Sequence, residues 1–397
     1  MKTKKWVRNR HKFYTFVFRG LLKPIFKLIC NIKAYKYKIP KDENVFIISN
    51  HQTDIDPIFV GFSMNKPLYY IATDSLFSSK LAAGFLNHCF APIPKKKGLS
   101  DPFCIKTILR VAKEKGSICL FAEGNRTYAE FQYYIDPSLA KLIKALKMPL
   151  ILYNISGGSG VYPRFGKKKR RGKIEGKVVE RIEVEDLLKM SDEQIIEKIK
   201  ETIKVYDSDS KNLYKSKSRA EYLERMLFVC PCCHKMNTIY SKNEYVYCSN
   251  CDLKVEYLEN LHLKSTNDSC NFDRLVDWYD FQKQYLKDIS FDDNQEICVD
   301  EIKLYQSNVN KPRKLLFKGK MILNNKELVF ENYLTIPLID IIIASPIGGV
   351  KFNFSTNEKN YLVIGNERFN PLKYVLLFNK LDTTMHNKHI DSYFTLD

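Results

Sequence analysis

Val45-Phe46-Ile47-Ile48-Ser49-Asn50-His51-Gln52-Thr53-Asp54-Ile55-Asp56-Pro57 begins as an apolar run, passes through a polar turn and ends on a proline. The apolar part reads as a strand. Pro57 suits the first turn of a helix, where a missing N–H costs nothing. Between the two lie an imidazole and a carboxylate. Histidine exchanges a proton near neutrality, and a carboxylate on its other ring nitrogen fixes the tautomer and stabilises the imidazolium. On a regular helix His51 and Asp56 would point about 140° apart, so the pairing needs a tight turn at the helix start. Strand-to-helix junctions of this kind are where open α/β sheets gather their sites.

A second junction follows: Ser117-Ile118-Cys119-Leu120-Phe121, then Ala122-Glu123-Gly124-Asn125-Arg126-Thr127. It offers a carboxylate, a glycine and a guanidinium, the parts of an anion clamp. Alone, His51 would read as an ordinary turn histidine, since His-x4-Asp is a common spacing. With a second junction in order behind it, the pair reads as a base and a clamp. His88, inside Phe85-Leu86-Asn87-His88-Cys89-Phe90, reads instead as a packed histidine.

Four ordered blocks carry a family resemblance: Asn50-His51 through Asp56, Ile93-Pro94-Lys95-Lys96-Lys97-Gly98, Phe121 through Thr127, and Pro149-Leu150-Ile151-Leu152-Tyr153-Asn154. Over roughly residues 40–205 the chain resembles the glycerophospholipid acyltransferases, most closely the bacterial 1-acyl-sn-glycerol-3-phosphate acyltransferases. The resemblance implies an α/β domain, a mixed sheet flanked by helices. It implies His51 as general base on a glycerol hydroxyl that attacks an acyl thioester directly, with Asp56 orienting the ring. Gly124 and Arg126 become ligands of the acceptor phosphate, Glu123 buttresses them, and Lys96 and Lys97 stand where the second block has its basic residue. Ala122 replaces that family's usual proline and Asn125 its usual threonine, and the second block is all lysine where arginine is common. Lysine is a point charge where arginine is a planar fork, a difference that bears on headgroup selectivity.

With 397 residues, 45% hydrophobic and 13% aromatic, the chain is globular and long enough for two or three domains. Its net charge of +19 asks for an anionic partner. Residues 1–40 hold many lysines and arginines and no aspartate or glutamate, interleaved with Trp6, Phe13, Phe16, Phe18, Leu21, Phe26 and Leu28. Arg19, Lys23 and Lys27 interrupt the apolar run, so it is neither a spanning helix nor a secretory signal. The pattern predicts an interfacial pair of helices over 1–40, broken near Gly20 and Pro24, docked on the anionic lipids of the cytoplasmic face of a membrane as a peripheral or monotopic protein. The alternative is a helix packed on the body with its basic residues solvated. Lys167-Lys168-Lys169-Arg170-Arg171 likewise reads either as a solvated loop or as an attractor of headgroups or an acidic carrier.

Ser191 and Gln194 have capping-box spacing and open the last helix of a domain over 41–206. Residues 207–225 read as a polar linker. In 226–258, Cys230 and Cys233, then Cys248 and Cys251, form two Cys-x2-Cys knuckles fourteen residues apart, which can converge tetrahedrally on a structural Zn²⁺. Cys232 and His234 crowd the first knuckle, but the spacing favours Cys230 and Cys233. Four sulfur ligands leave no open position, so the ribbon carries no chemistry. The other six cysteines are scattered, as in a reducing compartment.

Residues 259–310 read as a connecting helical segment. Residues 311–397 read as a β-rich domain, with strands at 314–323, 327–330, 333–336, 339–344, 351–354 and 361–364 before a helix from Pro371, faintly resembling pleckstrin-homology or GRAM-type domains. The expected function is acyl transfer from acyl-CoA or acyl carrier protein to lysophosphatidic acid or a related lysophospholipid. The alternatives are glycerol-3-phosphate or another lyso-lipid as acceptor, or a lipid-binding zinc-ribbon adaptor without catalysis. Nucleic acid is not expected: the charge lies in an apolar segment and one loop, and the ribbon lacks a basic aromatic face.

Overall fold

Residues 5–73, 80–95, 101–128, 130–266, 270–293, 295–306 and 313–381 are described by the computed structural model. Lys96, Lys97 and Gly98 of the second block lie outside them. The chain divides into two units, residues 1–162 with 171–212, and residues 163–170 with 213–397.

The first unit runs α1 (Asn9–Cys30), β1 (Ile32–Ala34), β2 (Phe46–Ser49), α2 (Asp56–Ser63), β3 (Leu68–Thr73), α3 (Lys80–Cys89), β4 (Ile93–Lys95), α4 (Pro102–Lys113), β5 (Ser117–Phe121), α5 (Ser138–Leu146), β6 (Leu150–Ser156), the single turn α6 (Gly158–Val161), β7 (Ile174–Ile182), α7 (Val184–Lys189) and α8 (Asp192–Ile203). Its seven-stranded sheet has the order β1-β7-β6-β2-β5-β3-β4. Only β6 and β7 pair antiparallel; the other neighbours are parallel. This is the mixed α/β sheet expected. β2 lies between β5 and β6, and all four of its residues are buried. A central parallel strand is covered on both faces, which is why its sequence is an unbroken apolar run rather than an alternation.

Phe46 and Ile48 of β2, Ile118 of β5 and Leu150 and Leu152 of β6 share a core with Ile108 and Val111 of α4, Ile143 of α5 and Ile195 and Ile199 of α8. Each such side chain contributes roughly 1.5–3 kcal/mol by leaving water. The core thus fixes the carboxyl ends of β2 and β5 side by side, with Ser49 opposite Phe121. The Ser191 capping box forms as its spacing predicts, with both reciprocal hydrogen bonds present.

One expectation fails here and another is qualified. α1 is one continuous helix of 22 residues, not a pair broken at Gly20 and Pro24. A proline ring collides with the carbonyl four residues earlier, here that of Gly20, where no Cβ crowds the turn. Gly20 and Pro24 are both exposed, so water can satisfy the carbonyl that Pro24 leaves unbonded. The 207–225 stretch carries the boundary between the two units, at 212/213, but it is not wholly solvated: Asp207, Tyr214, Ala220 and Leu223 are fully buried.

The second unit joins what the sequence divides. β8 (Ile239–Lys242), β9 (Tyr245–Cys248), β10 (Lys254–Tyr257) and β11 (Leu263–Ser265) form an antiparallel sheet in the order β11-β10-β9-β8. Then come α9 (Leu275–Asp288), β12 (Cys298–Gln306), β13 (Lys314–Leu323), β14 (Glu327–Phe330), β15 (Leu334–Pro337), β16 (Ile343–Ile347), β17 (Lys351–Ser355), β18 (Asn360–Gly365) and α10 (Pro371–Leu381). The second sheet is antiparallel throughout, ordered β15-β14-β13-β12-β18-β17-β16, with α10 against β16 and β17.

β12 falls in the segment expected to be helical, so the β-rich part begins before residue 311. The seam between ribbon and β-sheet is buried and hydrogen-bonded. Trp278 Nε1 of α9 donates to Val229 O at 2.9 Å, and the amides of Phe228 and Val229 both donate to Gln282 Oε1. Asn237 Nδ2 donates to Ile297 O at 3.1 Å. The basic run is only partly solvated, because Arg170 is buried with its guanidinium 5.0 Å from the Tyr257 ring and bonded to Arg219 O.

Candidate active site and cysteine cluster

Asp56 is the first residue of α2 and is wholly buried. The five residues before it curl around its carboxylate. Oδ2 accepts from the amides of Gln52 at 2.6 Å and Thr53 at 2.8 Å, and Oδ1 accepts from Thr53 Oγ1. That is the tight turn the His51–Asp56 pairing requires. His51 Nδ1 lies 2.8 Å from Asp56 Oδ2. A carboxylate already accepting three donors is an anion, so Nδ1 carries the proton and Nε2 is left as the free base. The imidazole is one-fifth exposed and stacks on Phe121 with centroids 4.3 Å apart.

The second junction is bonded to the first. Glu123 Oε1 accepts from the amide of His51 at 3.2 Å, Glu123 Oε2 from that of Tyr133 at 3.2 Å, and Thr127 N donates to His51 O at 3.0 Å. Burial pushes the Glu123 carboxyl up to about 8; the two amides oppose the shift and the nearby Asp56 charge adds to it. Gly124 has φ +62 and its amide returns to Phe121 O at 3.0 Å. In that left-handed turn a side chain would be strained. Arg126 Nη1 donates to Asp54 Oδ2 at 2.7 Å. Asp54 is 79% exposed, so this ion pair holds the guanidinium weakly and can be exchanged for another anion.

His51, Asp56, Glu123, Gly124 and Arg126 therefore come together at the ends of β2 and β5. Lys96 and Lys97 lie outside the described residues; Lys95, just before them, is exposed at the end of β4. A shallow hollow, open to solvent, is lined by Asn50, His51, Gln52, Glu123, Thr127 and Glu130 among others, and Arg126 does not line it. His88 is exposed rather than packed, 3.2 Å from the Tyr14 hydroxyl.

Sequence reading missed the groups that clamp the His51 turn. Asn50 pairs reciprocally with the backbone of Ile155, Nδ2 to O at 2.7 Å and Oδ1 from N at 2.8 Å. Gln52 Oε1 accepts from Gly158 N at 2.8 Å, and its Nε2 donates to Asp207 Oδ1 at 3.2 Å. Asp207 also accepts from Gly157 N, Gly160 N and Ser159 Oγ. Gly158 must be glycine for this approach, since a Cβ there would lie 2.6 Å from Gln52 Oε1. The flanking positions of Asn50 and Gln52 around His51 were the one available signal; nothing local marks Asp207.

In the second unit the sulfurs of Cys230, Cys233, Cys248 and Cys251 all lie within 4.8 Å of one another. Cys230 and Cys251 are 3.6 Å apart, and Cys233 and Cys248 3.8 Å. A tetrahedron with metal–sulfur bonds of about 2.3 Å has edges near 3.8 Å, so the donor set fits zinc in size and softness. Cys232 is exposed and outside the cluster, and the His234 ring lies against Phe281 and Tyr285. Cys30, Cys89, Cys104, Cys119, Cys270 and Cys298 are buried free thiols.

No curated protein matches the chain. Among solved structures it is similar to the 1-acyl-sn-glycerophosphate (LPA) acyltransferase PlsC from Thermotoga maritima, with a TM-score of 0.42 and 17% identity over 50% of this chain and 81% of that one. Residues 31–155 match the family model described as Acyltransferase, and this part of the chain, which contains both junctions, is a domain of the acyltransferase family.

Proposed function

We propose that the protein transfers a fatty acyl group from an acyl thioester, acyl-CoA or acyl carrier protein, to the free hydroxyl of lysophosphatidic acid or a related lysophospholipid. The observation that carries this reading is the 2.8 Å contact of His51 Nδ1 with the buried, triply bonded Asp56 carboxylate. His51 Nε2 takes the hydroxyl proton as the oxygen attacks the thioester carbonyl; the carbon–sulfur bond breaks and the thiolate leaves, taking up a proton. Asp56 holds the ring and stabilises the imidazolium. The acceptor phosphate displaces Asp54 from Arg126, with Lys96 and Lys97 adding positive charge, while Glu123 and Gly124 hold the backbone of the turn. The amides of Gly157, Gly158 and Gly160 are spent on Asp207 and Gln52, so the tetrahedral oxyanion is stabilised by other donors.

α1 supports work at a membrane surface. Phe13, Phe16 and Leu28 are 63%, 76% and 88% exposed on a helix without acidic residues. No helix among the described residues is long and apolar enough to cross a membrane. Docking on anionic lipids from the cytoplasmic side uses this face. Cys230, Cys233, Cys248 and Cys251 would hold a structural Zn²⁺, which when bound supplies cross-linking and no reaction step.

The test is acyl transfer on vesicles, with lysophosphatidic acid, glycerol-3-phosphate and other lyso-lipids offered in turn. His51→Ala is expected to lower kcat by at least about 10³-fold with an unchanged melting midpoint. Transfer near the wild-type rate in that variant would sink the reading, and a wild-type protein that floats with phosphatidylglycerol vesicles but transfers nothing would favour the adaptor. Failure to float would remove the membrane part alone.

A further inference from the structure

Residues 1–40 contain no acid, yet α1 does not leave all its cations in water. Arg19 is half-buried, and its Nε and Nη2 are buried with no hydrogen-bond partner among the described residues. Burial lowers its pKa, and the neighbour that opposes the shift is Tyr70. Tyr70 cannot serve as counter-ion. Its hydroxyl donates to Pro57 O at 2.6 Å, and desolvation holds the phenol neutral, well above its ordinary range. One turn further along, Lys23 is half-buried with Nζ donating to Phe62 O at 3.3 Å, its pKa depressed by burial and by the charges of Lys36 and Arg19.

Two cations therefore stand one turn apart, beside α2 and β3, without a carboxylate among the described residues. A buried N–H without a partner is costly, and an uncompensated buried charge costs more. Such an arrangement persists in a fold when an anion completes it. Its place ties it to the chemistry. The Tyr70 ring lies parallel to Phe121 with centroids 6.5 Å apart, and Phe121 in turn stacks on His51. Tyr70, the neighbour of Arg19, thus stands at one end of a row of rings whose other end is the imidazole.

We infer that Arg19, with Lys23 beside it, is a second phosphate subsite, separate from Arg126, that takes a phosphate group of one of the two substrates. This rests on the acyl-transfer reading for the identity of those substrates, both of which carry phosphate. A guanidinium binds phosphate as a two-pronged fork, whereas a lysine offers only its charge.

The experiment reads binding rather than turnover. Wild-type protein, Arg19→Gln and Arg19→Lys are titrated in phosphatidylcholine vesicles with lysophosphatidic acid, with monoacylglycerol, which lacks the phosphate, and with free coenzyme A. Arg19→Gln should weaken either lysophosphatidic acid or coenzyme A by at least about tenfold, leave monoacylglycerol within about twofold, and be partly rescued by Arg19→Lys. The ligand that weakens names the source of the phosphate. Arg19→Gln should also melt at the same or a higher temperature, because it removes a desolvated cation. Unchanged affinity for both phosphate-bearing probes overturns the inference, as does a lowered midpoint with equal loss of monoacylglycerol. A wild-type protein that binds in this way but transfers no acyl group would defeat the function and leave the subsite standing.

Discussion

The His51 junction and the four-cysteine cluster each gather a handful of side chains, and they are held together by opposite means. The first draws on residues 51 to 126 and is tied to Ile155, Gly158 and Asp207, with the carboxyls of Asp56 and Glu123 accepting from the protein's own amides. The second draws on two short knuckles whose four sulfurs converge on one another, with Thr238 Oγ1 and the amide of Asn250 3.2 and 3.3 Å from Cys248 Sγ. One is organised mainly by hydrogen bonds between distant parts of the chain, and the other is a local set of four thiols spaced as a metal's donors would be.

The largest expected effect breaks that symmetry. A zinc site made of four cysteine thiolates contributes apparent binding free energy of roughly 10–16 kcal/mol, most of it returned as folding. Metal removal by a strong chelator should therefore abolish the cooperative melting of residues 213–397, seen as loss of amide protection around β8 to β11. The His51 region should keep its protection. Equal protection of the ribbon with and without metal would show that the thiols need no ion.

How much of this was legible follows the same division. The knuckles could be read from spacing, because their geometry is local. The β2 strand was readable because a central parallel strand is apolar on both faces, and the Ser191 box because both of its partners lie within one turn. Asp207 was not readable. Its acceptors are consumed by Gln52 and by loop amides from residue 157 onward, so the first residues of a polar stretch that looked like a linker are buried. Arg126 was legible as a cation but not as the partner of Asp54. The helix break expected at Gly20 and Pro24 failed because the two residues, four apart, relieve each other's usual effect. The division after the ribbon failed because the burial of Trp278 and Gln282 is a tertiary fact with no local signature.

A smaller effect sharpens the contrast through protons. Glu123 titrates near its ordinary 4.5 in the unfolded chain and near 8 when folded, because burial disfavours its charge. Below about pH 4.5 both states hold the proton. Between there and about pH 8 only the folded state does, so its stabilising contribution is lost as pH rises through that window, by up to a few kcal/mol. Glu123→Gln cannot ionise and should lack this slope. Denaturant midpoints of the two proteins, measured from pH 5 to pH 9, should diverge downward for wild type; parallel curves would place the Glu123 titration outside that range. The cysteine cluster predicts the opposite sense, because thiolate ligands must lose protons to bind metal and the ribbon should gain stability over the same interval.

The smallest effect isolates one clamp. Asn50→Ala leaves the buried N–H and C=O of Ile155 without the partners they have at 2.8 and 2.7 Å. That should cost about 2 kcal/mol in denaturant unfolding, the penalty for stranding buried backbone groups. Because Asn50 immediately precedes His51, loosening it should also lower kcat while leaving KM for the acceptor nearly unchanged, whereas the metal content of the ribbon should not move. A variant that loses stability but keeps kcat would show that the turn around Asp56 holds the imidazole by itself. The hydrogen bonds to Gln52 and Thr53 would then suffice, and the reach of the site across to Ile155 would be a matter of folding rather than of catalysis.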